Sequence, residues 1–103
     1  MTVTTTMMTR RPLLTPKART RKAWLAFRRA EMAWREACDR YAAEMRGIPP
    51  ADRRTDRHDR IMSIWESLTD ELCAKAAQAR EAVRRAIRIQ RMAEIREQLR
   101  CQV

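Results

Sequence analysis

Apolar side chains recur along this chain at intervals of three, four and seven, the spacing of an amphipathic helix rather than of a strand. Phe27, Trp34, Tyr41 and Ile48 stand seven apart, with Ala30, Ala37, Cys38 and Met45 filling the same stripe. Farther on, Ile61, Trp65, Leu68, Leu72, Ala76, Ala79, Val83 and Ala86 alternate by three and four. Helix breakers fall in two places, Pro12 with Pro16 and Gly47 with Pro49 and Pro50, and these are all the prolines and the single glycine. Nothing between or after them forbids helix.

Thr15-Pro16 is an N-cap followed by proline at the first helical position, and Gly47 is placed to close the helix in a left-handed cap. The spacing therefore predicts a first helix over about 16–46, a turn over 47–51 and a second helix over about 52–100. Ser67 or Thr69, ahead of Asp70-Glu71, offers a point for a fresh start, but a continuous second helix is expected. Residues 1–14 have no periodicity and read as a basic arm, disordered or docked only by Val3, Met7, Met8, Leu13 and Leu14.

The fold class is thus all-α: an antiparallel, coiled-coil-like two-helix hairpin making a single domain over residues 15–103. If residue 46 lies beside residue 52, facing positions sum to about 98. Trp34 then meets Ile64 and Trp65, Phe27 meets Leu72, and everything from Val83 onward overhangs. Cys38 is ~20 Å from the residue facing Cys73 in that register, so no intramolecular disulfide is expected. On the overhang Met92, Ile95 and Leu99 turn away from the Ile61–Val83 stripe, to the side that carries Arg80, Arg84, Arg88 and Arg91. An apolar face that switches sides needs a cover: the arm, a foreign partner or a second copy of the chain. One hairpin buries little core, so a homodimer is expected.

Composition narrows the picture. The chain has 103 residues, room for one small domain. Its hydrophobic fraction of 45% includes 16 Ala, and Leu, Ile, Val and Phe together number only 16, too few for a thick core. A single glycine excludes the phosphate-cradling loops of nucleotide enzymes and argues against a turn-rich β fold. No apolar run approaches the ~20 residues of a membrane span, and no secretory signal is visible. Cys38, Cys73 and Cys101 are odd in number and fit no zinc spacing, which points to a reduced cytoplasmic setting. The acid-free, Thr- and Arg-rich first 30 residues also have the look of a mitochondrial transit peptide, but they run straight into a structural helix.

Charge supplies the functional signal. The chain carries 23 Lys+Arg against 13 Asp+Glu, a net of +10. Arg10, Arg11, Lys17, Arg19, Arg21, Lys22, Arg28 and Arg29 fall in the first 30 residues without one acid, and residues 80–103 hold seven Arg against three Glu. A hairpin brings both segments to the end away from its turn. Such an Arg-rich pole neutralises phosphates and gives salt-sensitive binding. The arm has no interleaved aromatic, although Trp24 follows it, so base stacking is only weakly signalled. Neither a helix-turn-helix nor zinc-finger spacing is present.

Catalytic chemistry is not signalled. His58, the only histidine, sits in a charged Asp56–Arg60 stretch and reads as solvated, and Asp52, Asp56 and Asp59 interleave with Arg53, Arg57 and Arg60 as mutual salt bridges. Cys73 reads as a buried small hydrophobe, Cys101 as exposed, and Met32 and Met62 as exposed. No nucleophile–base pair or metal cluster is recognisable, so neither an enzyme nor a cofactor nor a bound metal is expected. The functional expectation is a small non-enzymatic protein that binds nucleic acid through its Arg-rich pole. Its size suits an accessory protein of a phage, plasmid or other mobile element. The alternative is a protein interaction module or inhibitor that docks Met92, Ile95 and Leu99 on a larger partner. A third reading, a membrane-surface helix, rests on the basic arm followed by Trp24, Leu25 and Phe27.

Overall fold

A computed structural model of the chain describes residues 14–53 and 55–102. Two long helices, α1 (Pro16–Arg46) and α2 (Asp56–Cys101), pack against each other, and a 3-10 turn at Pro50–Asp52 lies between them. The arm predicted over residues 1–14 lies outside the described residues, except for Leu14.

Local chemistry fixes each terminus. The Thr15 side chain accepts the Ala18 N–H at 3.1 Å, and Pro16 follows in the first turn, where its missing N–H costs nothing. Gly47 does not take the left-handed cap: its φ is −76°. Its N–H is shared between the Ala43 and Glu44 carbonyls at 3.2 and 3.1 Å, and Ile48 N–H reaches Met45 at 3.3 Å. The helix tightens into a 3-10-like exit instead of reversing, and Pro49-Pro50 ends it.

The second helix starts at Asp56, four residues later than Asp52, because Thr55 caps it. Thr55 Oγ1 accepts the His58 N–H at 3.2 Å while donating to the Asp52 carbonyl at 2.9 Å. Asp56 and Asp59 then lie in the first turn, where carboxylates complement the helix dipole. The helix runs unbroken past Ser67 and Thr69; the Thr69 hydroxyl bonds back to the Glu66 carbonyl at 3.1 Å rather than capping a new start.

The linker forces an antiparallel arrangement. Nine residues reach at most ~32 Å, too short to return along the ~46 Å of α1. The register differs from the sequence expectation. Trp65 meets Tyr41 edge-to-face, with ring centroids 6.3 Å apart, and its indole N–H donates to the Glu44 carboxylate. Trp34 is therefore not its partner, and Phe27 does not face Leu72. The shift is seven to ten residues, ~10–15 Å along the axis: the linker is nine residues instead of the five expected over 47–51, and the Gly47–Pro49 exit runs alongside His58 in the first turn of α2. Pairing continues farther along α2 as a result. Val83 is 4% exposed, and Ala86, Ile87, Gln90 and Ala93 are half-buried, so no overhang begins at Val83. From Glu94 to Gln102 every residue is exposed.

The side of α2 turned to α1 repeats every seven residues. His58, Trp65, Leu72, Ala79, Ala86 and Ala93 are all half-buried, and Ala76 and Val83 of the neighbouring row are buried. A seven-residue repeat held over this length means a helix at 3.5 residues per turn, as in a left-handed coiled coil. The same frame corrects the C-terminal reading. Met92 and Leu99 do not switch sides; they continue an outer edge that already carries Ile64, Leu68 and Ile89. At 100° per residue the phase error over ~30 residues reaches ~90°, enough to make one edge look like two faces.

The core is thin. Among the described residues Ala37, Ala76 and Val83 are the buried apolar ones, Thr20 joins them through its hydroxyl bond to the Pro16 carbonyl, and no large side chain is fully buried. Ile64 is 67% exposed and Leu68 40%, so neither belongs to the seam. Cys73, one position past Leu72, is exposed at the seam's edge rather than buried, whereas Met62 is half-buried and Met32 exposed. All three cysteines are free.

Candidate nucleic-acid interface

The antiparallel packing sets the first half of α1 beside the α2 segment that follows Arg80. Within α1, Lys17, Arg19, Arg21, Lys22, Arg28 and Arg29 are all exposed, with no acid between Pro16 and Ala30. Seven-residue spacing repeats the pairs Arg21-Lys22 and Arg28-Arg29 on the outward side, away from the buried Thr20 and Ala37. On α2, Arg80, Arg84, Arg88 and Arg91 are exposed as well. In the seven-residue frame Arg80, Arg84 and Arg91 lie on the edge of α2 opposite to the one carrying Ile64, Ile89 and Met92. Arg10 and Arg11 lie outside the described residues.

One acid enters this segment of α2. Glu81 accepts from Arg84 at 2.7 Å, and both side chains remain more than half exposed. A pair of that kind contributes about 0.3–0.5 kcal/mol and yields readily to a phosphate. Trp24 stands among the basic residues of α1 at 45% exposure, held edge-on by Phe27 with centroids 5.9 Å apart. An aromatic face fixed in this way is a platform on which a base can stack. Arg85, Arg96 and Arg100 are exposed too; they lie off the helix face picked out by Arg80, Arg84, Arg88 and Arg91, and only the charge count of residues 80–103 marks them in the sequence.

The turn end has a different character. His58 is not solvated: its side chain is 10% exposed, with Nδ1 3.5 Å from Asp59. It lines a cleft of about 660 Å³ with Glu44, Ile48, Pro49 and Ile61, a packing site created because the exit from α1 folds over the start of α2. The predicted salt bridges do not form either. Among the described residues no ion pair joins Asp52, Asp56 or Asp59 to Arg53, Arg57 or Arg60; the Asp59 carboxylate lies 3.5 Å from His58 Nδ1 instead. No group of three or more His, Cys, Asp and Glu among the described residues is arranged to hold a metal ion. No described helix is long and apolar enough to cross a membrane.

Met92, Ile95 and Leu99, the residues expected to hold a protein partner, are 51%, 48% and 59% exposed. They lie on the part of α2 at and beyond the end of α1. Comparison with protein-family models, with curated proteins and with solved structures found no match to this chain.

Proposed function

We propose that the chain is a non-enzymatic nucleic-acid-binding protein that engages phosphates through the basic end of the hairpin. The observation that carries this reading is the run of six exposed cations on α1 from Lys17 to Arg29 with no intervening acid, set beside the exposed arginines of α2. Cations held on rigid helices release condensed counterions without an ordering cost, which makes affinity steeply dependent on salt. We further propose a homodimer working in the cytoplasm as an accessory factor of a mobile element, with the N-terminal arm extending the basic surface.

Fluorescence anisotropy with duplex DNA, single-stranded DNA and RNA, from ~50 to ~200 mM salt, tests the reading. Each phosphate contact contributes about 0.7–0.9 to the log–log slope, so replacing Arg21, Lys22, Arg28 and Arg29 by Ala should flatten it by about 3. No binding at the lowest salt, or an unchanged slope in the variant, refutes it.

A second reading is favoured by the exposed Met92, Ile95 and Leu99. In it these side chains dock on a larger protein, and Ile95→Asp with Leu99→Asp abolishes that association while leaving nucleic-acid affinity intact.

A further inference from the structure

The outer edge of α2 has the composition of a second seam. Following the seven-residue frame, Ile64 and Leu68 near the turn and Ile89 and Met92 near the C-terminus share that edge at three- and four-residue spacing, 67%, 40%, 50% and 51% exposed. Between the two apolar clusters the edge is polar: Glu71, Lys75, Gln78 and Arg85, all exposed. In order the edge reads apolar, acidic, basic, neutral, small (Ala82, half-buried), basic, apolar; reversal about Gln78 exchanges the two apolar clusters and sets Glu71 on Arg85, with Lys75 falling opposite the small Ala82.

We propose that this edge is an isologous interface, on which α2 of a second copy of the chain packs antiparallel about a two-fold axis at Gln78. Ile64 then meets the partner's Met92, Leu68 meets the partner's Ile89, Glu71 meets the partner's Arg85, and Gln78 meets itself. Two-fold symmetry writes each of these contacts twice. Charge selects the direction. A parallel pairing sets Glu71 against Glu71 and Arg85 against Arg85, whereas the antiparallel one makes two cross-chain ion pairs, and Glu71 keeps a free oxygen beside its 3.3 Å bond to Lys75. The edge runs from Ile64 to Met92, 29 residues or ~43 Å of helix, along which a standard interface would remove ~800 Å² from each partner. The arginines Arg80, Arg84 and Arg91 occupy the opposite edge and stay free.

This inference rests on the self-association proposed above, and its test separates the two. Light scattering should give twice the 12.2 kDa chain mass. Glu71→Arg and Arg85→Glu should each return the monomer mass with helix content intact, and the double variant should recover the dimer. With Cys38, Cys73 and Cys101 replaced by Ser, Gln78→Cys should oxidise to a covalent dimer, and Ile64→Cys should not. A wild-type monomer at ~100 µM, a range in which μM dimers are populated, overturns both the interface and self-association. A dimer that survives both charge reversals, fails to recover in the double variant, or cross-links through Ile64→Cys overturns this interface while leaving self-association standing.

Discussion

Ala76 tests whether the seam is closely packed. It is 6% exposed where α2 faces α1, and Ala77 beside it is exposed. Leucine at position 76 adds three carbons to a seam in which the half-buried Ala30 of α1 faces it in the register set by Trp65 and Tyr41. Overpacking of this kind costs about 1–3 kcal/mol, because neighbours are driven off their rotamers or the helices are pushed apart. Leucine at position 77 meets only water, and its helix propensity differs from that of alanine by a few tenths of a kcal/mol. A domain of this size loses about 4–8 °C in Tm for each kcal/mol, so Ala76→Leu should melt about 10 °C below the wild type and Ala77→Leu within about 2 °C of it. The assay is thermal loss of the helical far-UV signal at one fixed protein concentration, since association would make Tm concentration-dependent. If Ala76→Leu melts at or above the wild-type temperature, the two helices do not meet closely at Ala76, and the register built on Trp65 falls with it.

Two further substitutions probe the turn. Gly47→Ala should stabilise the chain by about 0.4–1 kcal/mol, because Gly47 is right-handed and an added Cβ would come no nearer than 3.4 Å to Glu44. A drop in denaturation midpoint would instead place a left-handed cap there. Thr55→Ala should cost about 1 kcal/mol in chemical denaturation by removing the acceptor for His58 N–H, and an unchanged midpoint would show that α2 does not need this cap.

The start of α1 was legible in Thr15-Pro16, and its seam in the sevenfold series from Phe27 to Ile48, because capping and periodicity are local and strong. The register was not legible. It depends on how many residues the linker consumes, and Thr55 competes with Asp52 as the cap in a stretch rich in both types. The phase of α2 was blurred for a related reason. Alanine at positions 74, 76, 77, 79 and 82 marks every side of the helix equally, so only the large residues fix the phase. A small angular error then misassigned Met92 and Leu99, and it placed Cys73 inside. At the candidate interface the basic residues were read directly from charge, since cations stay in water wherever a helix puts them. The burial of His58 was missed because it depends on the path of the Ile48–Pro50 exit, which no local pattern encodes.

The unbroken α2 also dictates how this protein can change length. Inserting one residue in its paired part would lengthen the rod by ~1.5 Å but swing everything beyond it by ~100°, exchanging the seam for an edge. Seven residues inserted together would restore the phase and add ~10 Å, provided α1 gained a matching heptad. Beyond Ala93, where nothing is paired, any number of residues could be added or lost. Homologous chains should therefore differ in steps of seven through the body of the hairpin and freely at its C-terminal tip.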